Sequence, residues 1–130
     1  MKTVRVAAAV IRKGDRIFAT QRGYGPFKGG WEFPGGKLEP GETAEAALAR
    51  EIREELDCEI RIEKALGRIE YDYPDFRLEM DVFLCSLASD GMTLREHSAA
   101  RWLAKDELGS VDWLPADRSF VEDLKKTLFA

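Results

Sequence analysis

The sequence predicts a mixed α/β domain, and three observations carry that prediction. Residues 4–11 form a run that is apolar apart from Arg5, followed by turn residues and a second short run at 17–20, the pattern of two core strands joined by a hairpin. Residues 59–63 and 77–82 alternate apolar and charged positions, the period of half-buried strands. Residues 43–56 and 115–128 instead bring apolar side chains back every three or four positions, the period of helices packed on one face.

Each element has its own local signals. Lys13-Gly14-Asp15-Arg16 supplies the hairpin turn. Residues 21–30 hold four glycines and Pro26, so they are expected to form a mobile loop of the kind that carries ligand contacts. Trp31-Glu32-Phe33 reads as a short strand, and Pro34-Gly35-Gly36 as the turn after it. Thr43 is an acceptable N-cap for the first helix, with Glu45 complementing the dipole in its first turn. Its capping box is incomplete, because Ala46 stands where Glu or Gln would complete it. Leu48, Ile52 and Leu56 form the core-facing stripe.

Residues 71–75 should connect two antiparallel strands, residues 89–91 a further turn, residues 100–103 a short strand and residues 105–108 one helical turn. In the last helix Pro115 suits the first turn, and Phe120, Val121, Leu124 and Leu128 form the packing stripe.

A chain of 130 residues, 45% hydrophobic and 34% charged, is expected to form one domain over residues 1–130 with a real core. The formal net charge of −4 and the lack of a basic run or aromatic-basic stripe argue against polymeric nucleic acid as a partner. The apolar N-terminal stretch is too short to span a membrane, so a cytoplasmic protein, monomer or homodimer, is expected. Cys58 and Cys85 lie far apart in apolar surroundings, which predicts two buried reduced thiols.

The stretch with the most chemistry is the first helix. Glu51, Glu54 and Glu55 fall three and four residues apart, on one face of a helix of about 3.6 residues per turn. Like charges so placed cost roughly 0.2–0.5 kcal/mol per pair, and the nearby helix C-terminus also disfavours anions. A divalent cation would relieve both penalties. At about 100° per residue the acidic face abuts the Leu48 stripe, which predicts a partly enclosed cluster. The bland alternative, a solvated charged face, fits REIREEL taken alone.

Taken with its surroundings, the stretch resembles the Nudix box, G-x5-E-x7-REUxEExGU with U aliphatic, through Gly36, Glu42, Arg50, Glu51, Ile52, Glu54 and Glu55. Asp57 departs from the pattern at its glycine, and a shifted helix end is expected there. The string WEFPGGK at 31–37, Arg22, and Leu114-Pro115-Ala116-Asp117 resemble the MutT-like branch. That resemblance implies an α/β/α sandwich around a central mixed sheet. It also implies magnesium-assisted hydrolysis at a phosphoric anhydride, with manganese as a substitute ion.

By the same resemblance, Glu51, Glu54, Glu55, the Gly35 carbonyl and Glu96 would hold metal, and Glu51 or Glu96 would act as general base. Arg50 and Glu42 would be an orienting pair, since a guanidinium fork holds a carboxylate bidentately. Arg22 and Lys37 would contact phosphates. Phe33 and Tyr73 would wall the base pocket, and Asp117 would read the base. A carboxylate accepts from amino groups, which both cytosine and guanine offer. Enzymes of the 8-oxo-dGTP branch typically carry an amide at this place, whereas cytidine triphosphate pyrophosphohydrolases are similar to this chain in carrying Asp. The expected substrate is 8-oxo-dGTP, or (d)CTP and 5-methyl-dCTP. ADP-ribose or another nucleoside diphosphate derivative is the rival substrate, and a non-catalytic nucleotide sensor the rival class. His97, the single histidine, has no matched nucleophile and orienter and reads as a loop residue.

Overall fold

The computed structural model describes residues 2–89, 91–95 and 97–127. Glu96, Leu128 and the middle of the turn expected at 89–91 lie outside the described residues. Strand β1 (Lys2–Lys13) is the centre of the sheet, and three partners divide its length. The parallel neighbour β6 (Phe76–Leu87) pairs with residues 2–11 along one edge. On the other edge the short β4 (Gly35–Lys37) pairs antiparallel at Val6, Ala7 and Ala8, and β2 (Arg16–Arg22) takes over at Arg12 and Lys13.

Beyond β2 lie β3 (Trp31–Glu32) and β7 (His97–Leu103), both antiparallel to it. Beyond β6 lies β5 (Ile60–Asp72), its antiparallel hairpin partner, with two register shifts. The sheet is therefore mixed, as expected.

Helix α1 (Ala44–Leu56) covers one face and α2 (Pro115–Thr127) the other. This explains the apolar run over residues 6–11 of β1. Ala7, Ala9 and Ile11 pack on the α1 side with Leu48, Ile52 and Leu56. Ala8 and Val10 pack on the α2 side with Phe120, Val121 and Leu124. A strand covered on both faces has no polar side to show. Full burial of Leu48, Ile52 and Leu56 contributes about 1.5–3 kcal/mol each and fixes the rotation of α1 about its axis. Cys58 and Cys85 are free and buried.

Thr43 caps α1 as predicted, its hydroxyl accepting from the Ala46 N–H at 3.1 Å. Two expectations need correction. The end of α1 is not shifted: the helix stops at Leu56, and Asp57 itself takes the left-handed conformation (φ 50°, ψ 45°). Its N–H donates to the Arg53 carbonyl at 3.1 Å, and Arg95 lies 3.2 Å from its carboxylate. A short polar side chain tolerates this conformation better than most, so the family glycine is not needed to stop the helix here. Residues 35–36 are not merely a turn either. They open β4, and the signal was hidden because glycine has low strand propensity and only the pairing to β1 defines the strand.

Candidate active site

The turn into β4 and the acidic face of α1 are built against each other. A Cβ on Gly35 would lie 2.0 Å from the Ala7 carbonyl oxygen, so only glycine lets β4 approach β1 this closely. A Cβ on Gly36 would lie 2.4 Å from the Glu51 carboxylate carbon. The pair of glycines thus opens the space into which Glu51 reaches.

Arg50 organises the carboxylates. Its Nε and Nη2 donate to the two oxygens of Glu42, each at 2.8 Å, and Nη2 also donates to the Lys37 carbonyl at 3.1 Å. Nη1 donates to Glu51 Oε1 at 2.8 Å and to Glu54 Oε2 at 3.4 Å. Glu42 also accepts from the Glu39 N–H at 2.8 Å. The Arg50 fork, with that backbone donor, holds the Glu42 carboxyl down at about 2. The Glu42–Arg50 geometry is the bidentate one expected of the pair. One guanidinium ties the 38–42 loop, β4 and two of the three glutamates of α1 together, and offsets part of their mutual repulsion.

The three glutamates differ in environment. Glu54 is exposed, Glu51 is partly covered, and Glu55 is 9% exposed with the His97 Nε2 3.7 Å from its Oε2. His97 is not a loop residue: it opens β7 opposite Arg22 and faces the same cleft as Glu55. Its position follows from the β2–β7 register, a non-local pairing with no signature near residue 97.

A single cleft of about 610 Å³ joins these groups to the rest of the expected site. Gly35, Gly36, Lys37, Glu51, Glu54, Glu55 and His97 line one part of it, and Arg22, Phe33, Tyr73 and Asp117 another. The residues expected to contact metal, phosphate and base thus line one cleft, whereas Arg50 reaches it only through its bonds to Glu51 and Glu54, and Glu96 lies outside the described residues. Phe33 packs edge-on to Phe120 and tilted on Trp113, at centroid distances of 6.5 and 4.8 Å. Tyr73 stacks on Phe76 at 5.0 Å, and its hydroxyl accepts from the Ala116 N–H at 3.3 Å.

Arg22 and Asp117 depart from the simple expectation. Arg22 donates from Nε and Nη2 to Glu32 at 2.9 and 2.7 Å, and from Nη1 to the Pro26 carbonyl at 3.0 Å. Its fork is already engaged. Nothing in the sequence marks Glu32 for this role, because its approach to Arg22 depends on β2–β3 pairing. Asp117 is 5% exposed, and its Oδ1 accepts from the Phe33 N–H at 3.2 Å. Burial, then the charge of Glu32, raise its carboxyl to about 8, outweighing the Phe33 hydrogen bond and Arg22. At neutral pH Asp117 is therefore mainly a neutral acid, able to donate as well as accept.

Among the described residues no three acidic, cysteine or histidine side chains are already drawn together as a cation cage. The donor set nonetheless fits a hard divalent ion that keeps several of its waters: carboxylates beside an exposed backbone turn, with room left by Gly36.

A sheet sandwiched between two helices, with an Arg50-bound acidic helix facing a Gly-Gly strand, defines the class. The chain belongs to the NUDIX domain family, whose profile matches residues 1–124, and is a Nudix hydrolase, an enzyme acting on phosphoric anhydride bonds. Among its relatives is a Mycobacterium tuberculosis protein provisionally named 8-oxo-dGTP diphosphatase 2, 37% identical, covering 98% of this chain and 92% of its own length. Another is the CTP pyrophosphohydrolase of Escherichia coli, 30% identical over 94% of this chain and 91% of that protein. The crystal structure of a MutT NUDIX hydrolase from Burkholderia pseudomallei superposes with a TM-score of 0.82 at 29% identity, over 94% of this chain and 98% of the other. No helix among the described residues is long and apolar enough to cross a membrane.

Proposed function

We propose that this enzyme hydrolyses a nucleoside triphosphate to the monophosphate and pyrophosphate with a magnesium ion held on the acidic face of α1, in the service of the cellular nucleotide pool. The observation that carries the reading is the continuity of the cleft: the glutamates of α1 and the buried Asp117 of α2 line one space. That span suits a ligand with a polyphosphate at one end and a flat polar heterocycle at the other.

Glu51, Glu54, Glu55 and the Gly35 carbonyl are assigned to the metal, with Glu96 from the segment before β7. The ion, which manganese could replace, would neutralise phosphate charge as the leaving group departs and make a nearby water more acidic. The chain's own residues do the rest. Arg50 fixes Glu51 Oε1, which leaves Oε2 facing Gly36 and available to orient or deprotonate water. Glu96 remains the alternative base. Lys37 is assigned to phosphate oxygens. Arg22 joins it only by exchanging Glu32 for phosphate, because its donors are otherwise engaged.

Phe33 and Tyr73 wall the base end, and Asp117 reads the base edge. A neutral Asp117 offers both donor and acceptor, as an amide does, so its identity alone no longer favours cytosine over 8-oxoguanine. Relatives named for both activities fit that reading.

The test is a magnesium-dependent panel of 8-oxo-dGTP, dCTP, 5-methyl-dCTP, CTP, dGTP and ADP-ribose, with products separated by ion exchange. Monophosphate and pyrophosphate from a triphosphate are expected, and Asp117→Ala should reorder kcat/KM across the panel. Preferred cleavage of ADP-ribose would replace the substrate assignment. Tight nucleotide binding without turnover would make the chain a sensor.

A further inference from the structure

The loop between β2 and β3 contains a backbone outlier that the site as described does not use. Phe27 has φ 65°, a conformation in which a bulky side chain is uncommon and costs free energy. Gly25 and Gly29 of the same loop also have positive φ (74° and 92°), where glycine carries no such cost. Position 27 therefore holds an aromatic ring where a glycine would suit the backbone.

The loop leaves little freedom to relax this. The Gly29 N–H donates to the Arg22 carbonyl and the Arg22 N–H to the Gly30 carbonyl, both at 2.9 Å. The Gly30 N–H donates to the Phe27 carbonyl itself at 3.0 Å, and the Lys28 N–H to the Gly25 carbonyl at 3.2 Å. Arg22 Nη1 donates to the Pro26 carbonyl at 3.0 Å.

Burial does not account for the ring. Phe27 remains 43% exposed, and among the described residues its one ring contact is with Tyr73, at 5.2 Å and 50°. Tyr73 is by contrast fixed: 8% exposed, stacked on Phe76 and bonded to the Ala116 N–H. Phe27, Tyr73 and Asp117 line the same cleft. A strained, half-open ring held over a rigid aromatic platform, beside a buried polar reader, has the form of one wall of a slot for a planar heterocycle.

We propose that Phe27 is a base-binding residue, presenting its ring to the face of the nucleobase whose edge Asp117 reads. The inference rests on the nucleotide reading of the cleft. Stacking is tolerant of base identity, because every base has a π-face. Phe27 therefore sets affinity, purines above pyrimidines, while Asp117 sets selection.

The test uses the full chain and metal-free calorimetry with GMP, CMP and ribose 5-phosphate. Phe27→Asn removes the ring but keeps a residue tolerant of positive φ, and Phe27→Trp restores a larger ring. Phe27→Asn should bind GMP about tenfold more weakly, CMP less affected, ribose 5-phosphate unchanged, with Tm equal to or above that of the wild type. Phe27→Trp should recover GMP binding. Unchanged GMP affinity in Phe27→Asn would overturn the proposal, as would an equal loss for GMP and ribose 5-phosphate with a lowered Tm, the signature of a ring that merely packs. A wild type that binds GMP no better than ribose 5-phosphate would instead sink the nucleotide reading itself.

Discussion

Asp117 places a carboxyl in the first turn of a helix, where the dipole favours its anion, yet burial beside Glu32 favours its acid. Burial wins, and the consequence is measurable in stability. Between the ordinary value of 3.8 and about 8, the folded protein keeps a proton on Asp117 that the unfolded chain has released. Stability therefore falls as pH rises through that window and levels off above it, with a slope of at most about 1.4 kcal/mol per pH unit from this group. Asp117→Asn has no proton to hold and should lose that slope. Urea unfolding at pH 5, 6, 7 and 8 should show the variant gaining on the wild type at each step; parallel curves would mean that Asp117 is ionised in the fold.

The sequence could name Asp117 but not its state. Its helix position suggested an anion, whereas its protonation comes from burial in the folded molecule and from Glu32, more than eighty residues earlier. Arg22 shows the same limit. Its presence near the loop was legible, but its engagement by Glu32 arises only when β3 pairs with β2.

At the scale of elements, the junction of β4 and α1 separates two glycines that look equivalent in WEFPGGK. A Cβ on Gly35 meets the β1 backbone, which cannot yield, whereas one on Gly36 meets the end of the Glu51 side chain, which can. Gly35→Ala should therefore destabilise the fold, by about 1–3 kcal/mol as overpacking does. Gly36→Ala should leave Tm within a few degrees of the wild type and displace Glu51, lowering kcat on the order of 100-fold. Thermal unfolding and steady-state kinetics on the two variants distinguish these outcomes, and equal stability losses would remove the distinction.

Helices α1 and α2 were legible because their apolar stripes and the Thr43 cap are local patterns. Strand β4 was not, because three residues led by two glycines become a strand only against Val6, Ala7 and Ala8. The divided pairing of β1 was likewise invisible: an apolar run reveals burial on both faces but not which neighbours cover each part of its length.

At the scale of the whole molecule, the sheet carries the cleft between its two helical layers. Helix α1 is rotated by its Leu48, Ile52 and Leu56 stripe so that Glu55 turns inward and Glu54 outward, while α2 brings Asp117 to the same cleft from the opposite layer. Fold and site are in this sense one construction, since the packing that buries α1 also aims its carboxylates.

The most direct test is a calorimetric titration of manganese into the wild type and Glu54→Gln, each with and without saturating GMP. If the acidic face of α1 holds a cation against a nucleotide, GMP should tighten manganese binding in the wild type, and Glu54→Gln should weaken it roughly tenfold or more. Identical isotherms for the two proteins, indifferent to nucleotide, would contradict the account.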